Sequence, residues 1–287
     1  MDHANFHGDE TWTKVLRSRS GWFDLDLKDL WRYRDLIMLF VRRDFVAIYK
    51  QTILGPLWFL LQPLFTSFIF YLIFGKIAQV PTDGIPPMLF YLSGVVTWNY
   101  FAGCLTRTSD TFTANAGIFG KVYFPRLTVP VSVVIINLMT FAIQFCLFLL
   151  LLGLFAVKGA AIHPNRWILI TPLLIVQMGT LGLGLGILIS ALTIKYRDLT
   201  FVVGFGVQLW MFATPIVYPL SRVPSDWRWL YTLNPMAATV ETFRFAFLGA
   251  GSASIAQVGM STGISIALLT LGIAAFSRVE KTFMDTV

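Results

Sequence analysis

The sequence predicts an all-α, polytopic membrane protein in which six helices cross the bilayer. Of its 287 residues, 56% are hydrophobic and only 13% are charged, whereas soluble domains are about 45–50% apolar and about 25% charged. Six stretches of 22 to 33 residues contain no Asp, Glu, Lys or Arg, and about 20 apolar residues in a helix span the hydrocarbon core. The stretches are 54–75, 84–106, 127–157, 167–194, 199–221 and 245–277. These unbroken apolar runs exclude a soluble fold and also a transmembrane β-barrel, whose strands alternate in hydrophobicity.

The distribution of basic residues predicts the orientation of the spans. If each stretch crosses once and the chain starts inside, the inner segments hold 16 Lys and Arg and the outer segments hold 6. Counting only positions 34–53 of the amino-terminal segment leaves 11 against 6. Because basic residues accumulate in cytoplasmic loops, both termini are expected in the cytoplasm. This bias accounts for most of the net charge of +7, which therefore requires no nucleic-acid partner.

The region before the first span divides into a polar tail and an amphipathic helix. Residues 1–27 form a predicted cytoplasmic tail without a recognisable feature. In residues 28–53, and most clearly up to 51, helical spacing separates a polar face from an apolar face. The polar face has Arg32, Asp35, Arg42, Arg43 and Lys50, and the apolar face has Leu30, Tyr33, Leu36, Ile37, Phe40, Val41 and Ile48. We expect this helix to lie on the membrane surface, with an ordinary packed cytoplasmic helix as the alternative.

The transmembrane domain is predicted over residues 54–277. Pro63 lies inside the first span and is expected to bend it. Residues 111–124 are too polar to cross and form an inner loop between the second and third spans. Lys195–Asp198 gives a tight inner turn before the fifth span, and residues 278–287 form a cytoplasmic tail.

Segment 222–249 is too charged to span the membrane and too rich in aromatic residues to be a free loop. It predicts a re-entrant pair of short helices that enter the outer leaflet, with Asn234-Pro235 as the break between them. Irregular backbone at that depth must be sheltered by protein or water. A plain interfacial loop is the alternative.

The sequence lacks the motifs that would give this chain a chemistry of its own. No Gly-x-x-x-x-Gly-Lys-Ser/Thr string occurs, so a phosphate-binding loop is not expected. The three histidines are scattered, which predicts no metal site. Gly182 and Gly186 have the small-x-x-x-small spacing that lets two membrane helices pack closely. The six stretches contain no carboxylate or histidine, which disfavours a proton-driven transporter; a sodium site built from amides and carbonyls stays open.

Aromatic residues make up 15% of the sequence, and many lie within the predicted spans. Trp58 and Phe65 are seven residues apart and therefore share one helix face. Such residues either belong to the aromatic belts at the membrane interfaces or stack against sugar rings while Gln and Asn side chains bind the hydroxyl groups.

Several short motifs occur in a recognisable order along the chain. They are Tyr49–Trp58, Gln62-Pro63-Leu64, Tyr123-Phe124-Pro125-Arg126, Lys195–Leu199, Thr214–Tyr218, Leu233-Asn234-Pro235-Met236 and Glu280–Phe283. Preceded by a basic amphipathic helix, this order resembles the permease subunit of type-2 ABC exporters for polysaccharides, the O-antigen, capsule and teichoic-acid export permeases. The resemblance covers residues 28–287.

The resemblance implies a transporter subunit rather than an enzyme. Such permeases have six spans, form homodimers and bind one separate nucleotide-binding ATPase per protomer on the cytoplasmic side. It implies no cofactor in this chain, with ATP and Mg on the partner subunit. It also implies that the exporter moves a glycan linked to undecaprenyl pyrophosphate from the cytoplasmic to the outer face of a bacterial inner membrane.

The resemblance also implies roles for particular residues. Loop 111–124 would hold the coupling helix that contacts the ATPase, with Asn115, Ile118, Phe119 and Lys121 as candidates. The helix at 28–53 would act as a gate whose Arg32, Arg42, Arg43 and Lys50 face lipid pyrophosphate headgroups. The substrate channel would be lined by Trp58, Phe65, Trp98 and Trp210. The hairpin at 222–249 would close the outer mouth of this channel.

Two other functions stay open on the sequence alone. Within the same family, the substrate would be teichoic acid, a drug or a small lipid, with the same dimer and ATPase. From another class, the chain would be a sodium-coupled carrier or a channel that works without an ATPase.

Overall fold

The computed structural model describes residues 27–50, 52–119, 121, 124–193 and 198–282, and within these ranges it contains helices and no strand. The α-helices are α1 Leu27–Arg32, α2 Arg34–Tyr49, α3 Trp58–Phe70, α4 Pro87–Ser109, α5 Thr111–Phe119, α6 Thr128–Val157, α7 Thr171–Thr193, α8 Leu199–Phe212, α9 Arg228–Leu233, α10 Pro235–Leu248 and α11 Ile255–Thr282. Residues 1–26 of the predicted tail 1–27, most of the turn at 195–198 and the last five residues lie outside the described residues. Residues 278–282, predicted as tail, continue α11.

Five helical segments are long and apolar enough to cross a membrane, counting only residues the structure describes. They are Gly55–Ile77, Pro87–Ser109, Thr128–Val157, Arg166–Thr193 and Ile255–Arg278. The first begins with a 3-10 turn, carries Pro63 within α3 and ends in a π-helical segment. The predicted last span is shorter than its apolar stretch, since the chain turns at Gly249, which adopts a left-handed conformation with φ 77°.

The predicted fifth span is the exception, because its helix α8 has only 14 residues. At about 1.5 Å per residue such a helix is about 21 Å long, which is shorter than the hydrocarbon core of about 30 Å. The helix stops at Phe212, and Pro215 follows shortly after it. Because proline lacks an N–H and disfavours helical geometry in the preceding residue, it prevents α8 from extending across 199–221.

Helix α7 packs closely against α4 on one side and α11 on the other. A Cβ atom added at Gly182 would lie 2.6 Å from the Cβ of Cys104, and one added at Gly186 would lie 2.5 Å from the Cβ of Thr108. On the other face, a Cβ added at Gly184 would lie 2.6 Å from the Cα of Leu269. The interpretation of the glycine spacing as a packing surface is confirmed, since any side chain there would separate the helices.

The amphipathic region is two helices, separated at Tyr33, rather than one. Helix α2 packs against α6 and buries Ile37, Phe40 and Val41. All five residues of the predicted polar face are exposed. The pattern did not predict the exposure of Met38 and Leu39, which are 57% and 60% exposed. The helix therefore has apolar surface facing away from the bundle as well as towards it.

Segment 222–249 contains the two predicted short helices, α9 and α10, with the break at Asn234. Helix α9 is mostly exposed, whereas α10 is almost entirely buried against α4 and α11. The plain-loop alternative is therefore wrong for this segment. The hairpin lies at the end of the bundle where α4 begins, and α5 lies at the opposite end.

Candidate substrate path and coupling surface

Helix α5 rests on a cluster of five phenylalanine rings, which we call the phenylalanine cluster. Its members are Phe40 from α2, Phe112 and Phe119 from α5, Phe124, and Phe276 from α11. The ring centroids of Phe112 and Phe276 are 4.6 Å apart, those of Phe119 and Phe124 are 5.6 Å apart, and those of Phe40 and Phe124 are 5.8 Å apart. Contacts at these distances are favourable beyond the burial of area. The cluster thus connects α5 to both α2 and α11.

The predicted coupling residues divide into surface and interior positions. Lys121 is exposed, and Asn115 and Ile118 are partly exposed. Phe119 is only 2% exposed and lies beneath the guanidinium of Arg126, 5.8 Å from its ring centroid. The interpretation of Phe119 as a direct contact for a partner therefore needs correction, because its side chain supports α5 from within. The seven-residue spacing of Phe112 and Phe119, which puts both on one face, was the missed signal.

The basic residues of the predicted gate lie at the same end of the bundle as α5. Arg32, Arg42, Arg43 and Lys50 are all exposed. The Nε atom of Arg43 donates a hydrogen bond of 2.6 Å to Asp44, and its guanidinium lies 4.9 Å from the ring centroid of Phe40. Since Phe40 belongs to the phenylalanine cluster, the basic surface of α2 is packed directly onto the support of α5.

The predicted channel residues occupy two different environments. Trp58 and Phe65 are 50% and 58% exposed on α3, on the shared face that their spacing predicts. Trp98 is 4% exposed and packs edge-to-face against Phe101 and Trp210. Trp98 therefore belongs to the core of the protomer and supports Trp210 instead of forming part of an open surface.

Helix α8 exposes further aromatic residues that the sequence reasoning did not select. Phe201, Phe205 and Phe212 are 83%, 64% and 43% exposed. No residue of α8 is buried. Helices α3 and α8 thus both expose aromatic rings, and in a membrane protein such rings face lipid, another chain or substrate.

Asn234 joins the end of α8 to the hairpin by using both ends of its amide. Its Oδ1 accepts hydrogen bonds from Trp210 Nε1 at 3.1 Å and from the N–H of Met236 at 3.0 Å. Its Nδ2 donates to the carbonyl of Ala213 at 3.2 Å and to the Oγ1 of Thr214 at 3.1 Å. Both donors and both acceptor positions of the amide are used. The sequence identified Asn234 only as a break between helices.

A buried ion pair fixes the same connection from the other side. Arg244 is 1% exposed and its Nη1 lies 3.0 Å from the Oε1 of Glu241. The guanidinium also donates to the carbonyls of Pro215 at 3.0 Å and Ile216 at 3.4 Å, and lies 3.7 Å from the ring centroid of Phe90. We call Asn234, Glu241 and Arg244, with the carbonyls they bind, the hairpin anchor. Through it the chain after α8 and helix α10 form one unit.

No group of three or more His, Cys, Asp or Glu residues is placed to hold a metal ion in the part of the chain that the structure describes. The surfaces described above offer groups suited to recognition: basic side chains beside α5, aromatic rings on α3 and α8, and polar groups around the hairpin.

Comparison with known proteins identifies the family. Residues 35–248 match the family model described as ABC-2 type transporter. The O-antigen export system permease protein RfbA of Klebsiella pneumoniae is 28% identical over 253 residues, which cover 88% of this chain and 94% of that protein. RfbA of Myxococcus xanthus is 26% identical over 265 residues, 91% of this chain and 98% of that protein. The polysialic acid transport protein KpsM of Escherichia coli is 24% identical over 238 residues, 81% and 89% of the two chains. Because the family model matches residues 35–248, which is more than half of the 287 residues, the chain belongs to the ABC-2 type transporter family.

Proposed function

We propose that this chain is the membrane-spanning subunit of an ATP-driven exporter for a lipid-linked polysaccharide. The substrate would be an O-antigen-like glycan on undecaprenyl pyrophosphate, moved from the cytoplasmic to the outer face of a bacterial inner membrane. Relatives from three organisms, all named for O-antigen export or polysialic acid transport, support the substrate class. The observation that carries the mechanism is the direct packing of the basic helix α2 onto the phenylalanine cluster beneath α5.

In this proposal both termini lie in the cytoplasm and the chain crosses six times. Five crossings are the long helical segments, and the remaining one, fifth along the chain, is α8 together with the segment that follows it, which the hairpin anchor shelters from lipid. Helices α2 and α5 then lie on the cytoplasmic side, and the hairpin α9–α10 dips into the outer leaflet. A separate ATPase docks on α5, and the ATP and Mg of the reaction are bound by that partner.

The substrate path would form where two copies of the chain meet. Helices α3 and α8 expose aromatic surfaces that a single protomer leaves uncovered. In a homodimer these helices would flank a central path along which sugar rings stack on Trp58, Phe65 and the exposed edge of Trp210. Aromatic rings suit this task because they pack on the apolar faces of sugars without requiring one sequence of sugars.

The gate would recognise the pyrophosphate that links glycan to lipid. Arginine binds phosphate oxygens through paired N–H donors, and such charge-assisted hydrogen bonds are about twice as strong as neutral ones. Four exposed cations lie along α1 and α2, at Arg32, Arg42, Arg43 and Lys50, and α2 also exposes Met38 and Leu39 for contact with lipid. Movement of α5 by the ATPase would reach this gate through Phe124 and Phe40, whose rings are in contact.

The proposal is tested by ATP hydrolysis of the permease reconstituted with its ATPase. We expect undecaprenyl-pyrophosphate-linked glycan to stimulate hydrolysis. Arg42→Glu should raise the glycan concentration that gives half-maximal stimulation about tenfold, because hydrogen bonds to charged groups contribute about 1.5–3 kcal/mol. Charge reversal at the exposed Arg166, at the opposite end of the bundle, is the matched control and should leave the stimulation unchanged. Stimulation by hydrophobic drugs but not by the glycan would instead favour a drug or small-lipid exporter.

A further inference from the structure

A polar cavity of about 340 Å³ lies beside the hairpin, at the end of the bundle opposite α5. It is formed by the loop before α4, the segment before α9, the hairpin itself and the start of α11. Its walls include Asp83, Arg228, Tyr231, Glu241, Ser252 and Gln257. Asp83, Arg228 and Ser252 are exposed, so the cavity opens to solvent. It is separate from the aromatic surfaces of α3 and α8 and from the basic surface of α2.

The cavity offers balanced charge rather than a site for an anion. Asp83 and Glu241 are matched by Arg228 on its wall and by Arg244, which pairs with Glu241 behind it. The Oγ of Ser221 donates to both carboxylate oxygens of Asp83 at 3.0 Å, which fixes that side chain at the rim. A pyrophosphate would need an excess of cations, so this lining selects against the lipid headgroup that α2 is suited to bind.

The same walls combine the groups that recognise a sugar. Carboxylate oxygens accept hydrogen bonds from hydroxyl groups, the guanidinium of Arg228 donates them, and the amide of Gln257 does both. The ring of Tyr231 is an apolar surface of the kind that packs on a sugar face, and its hydroxyl is fixed 2.7 Å from that of Tyr218. A volume of about 340 Å³ is near the lower end of the range of about 300–1,000 Å³ for small-molecule sites. The space therefore suits one sugar unit rather than a length of chain.

We propose that this cavity binds a single uncharged sugar unit of the exported glycan as the glycan leaves the substrate path. The class of ligand assigned to this cavity rests on the proposed function. The cavity would be a second site of substrate recognition, next to the hairpin anchor. A sugar bound there contacts α9, α10 and the start of α11 together, so its binding biases the position of the hairpin.

The test is a calorimetric titration of the full chain in lipid nanodiscs with short oligosaccharides obtained by partial acid hydrolysis of the source cells' surface glycan. We expect saturable binding that Asp83→Asn and Arg228→Gln each weaken about tenfold, because each change removes a charge-assisted contact. Asparagine suits this test because Asp83 has φ 50°, a left-handed conformation that asparagine also tolerates. The matched control is Asp226→Asn, the same change as at Asp83, made two positions before Arg228 at an exposed residue outside the cavity walls, which should alter affinity less than twofold.

Two results would overturn this proposal: no saturable binding by the wild-type chain, or affinities that both cavity variants leave unchanged. Binding of calcium ions that depends on Asp83, without binding of the oligosaccharide, would likewise overturn it and identify a cation site. Glycan-stimulated ATP hydrolysis is measured on the same preparation with the ATPase added. Stimulation without oligosaccharide binding refutes the cavity alone, whereas oligosaccharide binding that depends on Asp83, without stimulation, supports the cavity and refutes the proposed exporter.

Discussion

An Arg244→Met variant is expected to lose much of its stability, because it leaves the carboxylate of Glu241 buried without its cation. Arg244 and Glu241 are 1% and 3% exposed, and removing one partner of a buried ion pair costs about 3–5 kcal/mol. The carbonyls of Pro215 and Ile216 lose their donor in the same variant. The measurement is the temperature at which half of the detergent-solubilised protein is no longer monodisperse, and we expect this temperature to fall sharply.

A double variant separates the loss of charge balance from the loss of the carbonyl contacts. Glu241→Gln with Arg244→Met removes both charges and should recover part of the stability, since replacing both members of a buried pair is often nearly neutral. Arg222→Met removes an exposed arginine from the same region and should change stability by no more than about 0.5 kcal/mol. If Arg244→Met melted at the same temperature as Arg222→Met, the hairpin anchor would have no structural role.

The second large effect is expected on α5, where two neighbouring residues should respond in different ways. Ile118→Asp places a charge on the partly exposed face and should release the ATPase from the permease while the permease keeps its thermal stability. Phe119→Ala instead removes a ring from the phenylalanine cluster and should cost about 3–5 kcal/mol of stability, as truncations of buried phenylalanine do. Co-purification of the ATPase and the melting temperature of the permease are measured on both variants.

The control for the first substitution is Ala161→Asp, which adds the same charge at an exposed site on the opposite end of the bundle. It should leave the ATPase bound. Retention of the ATPase by Ile118→Asp would show that the docking surface lies elsewhere. Unchanged stability in Phe119→Ala would show that the cluster does not support α5.

The apolar composition and the length of the stretches without charged residues predicted most of the architecture, because a helix must be apolar and long enough to cross the membrane. Five of the six apolar stretches contain helices long enough to span, and the glycine spacing at 182 and 186 correctly predicted a close contact between two helices. The end of α8 was harder to predict. Its apolar stretch continues past Phe212, but Pro215 prevents the helix from continuing, and the buried carbonyls of Pro215 and Ile216 are bound by Arg244, 29 and 28 residues later.

Two of the predicted site residues are buried, because residue type does not show which way a side chain faces. Tryptophan at position 98 and phenylalanine at 119 were selected for their chemistry, and both are buried supports. The reverse error applies to Glu241 and Arg244, which were counted among the charges that make segment 222–249 too polar to span the membrane. Their i, i+3 spacing allows them to pair on one helix face, but their burial depends on Pro215, Ile216 and Phe90, which only the tertiary structure brings near.

The most direct measurement of the exporter proposal is transport in proteoliposomes that contain the chain with or without its ATPase. Lipid-linked glycan is placed on the side of the ATPase, and its arrival on the other side is followed by a lectin that does not cross the bilayer. We predict that glycan crosses only when the ATPase and ATP are both present, and that a sodium gradient has no effect. Equal transport by the chain alone, driven by a sodium gradient, would contradict the proposal and identify an ion-coupled carrier.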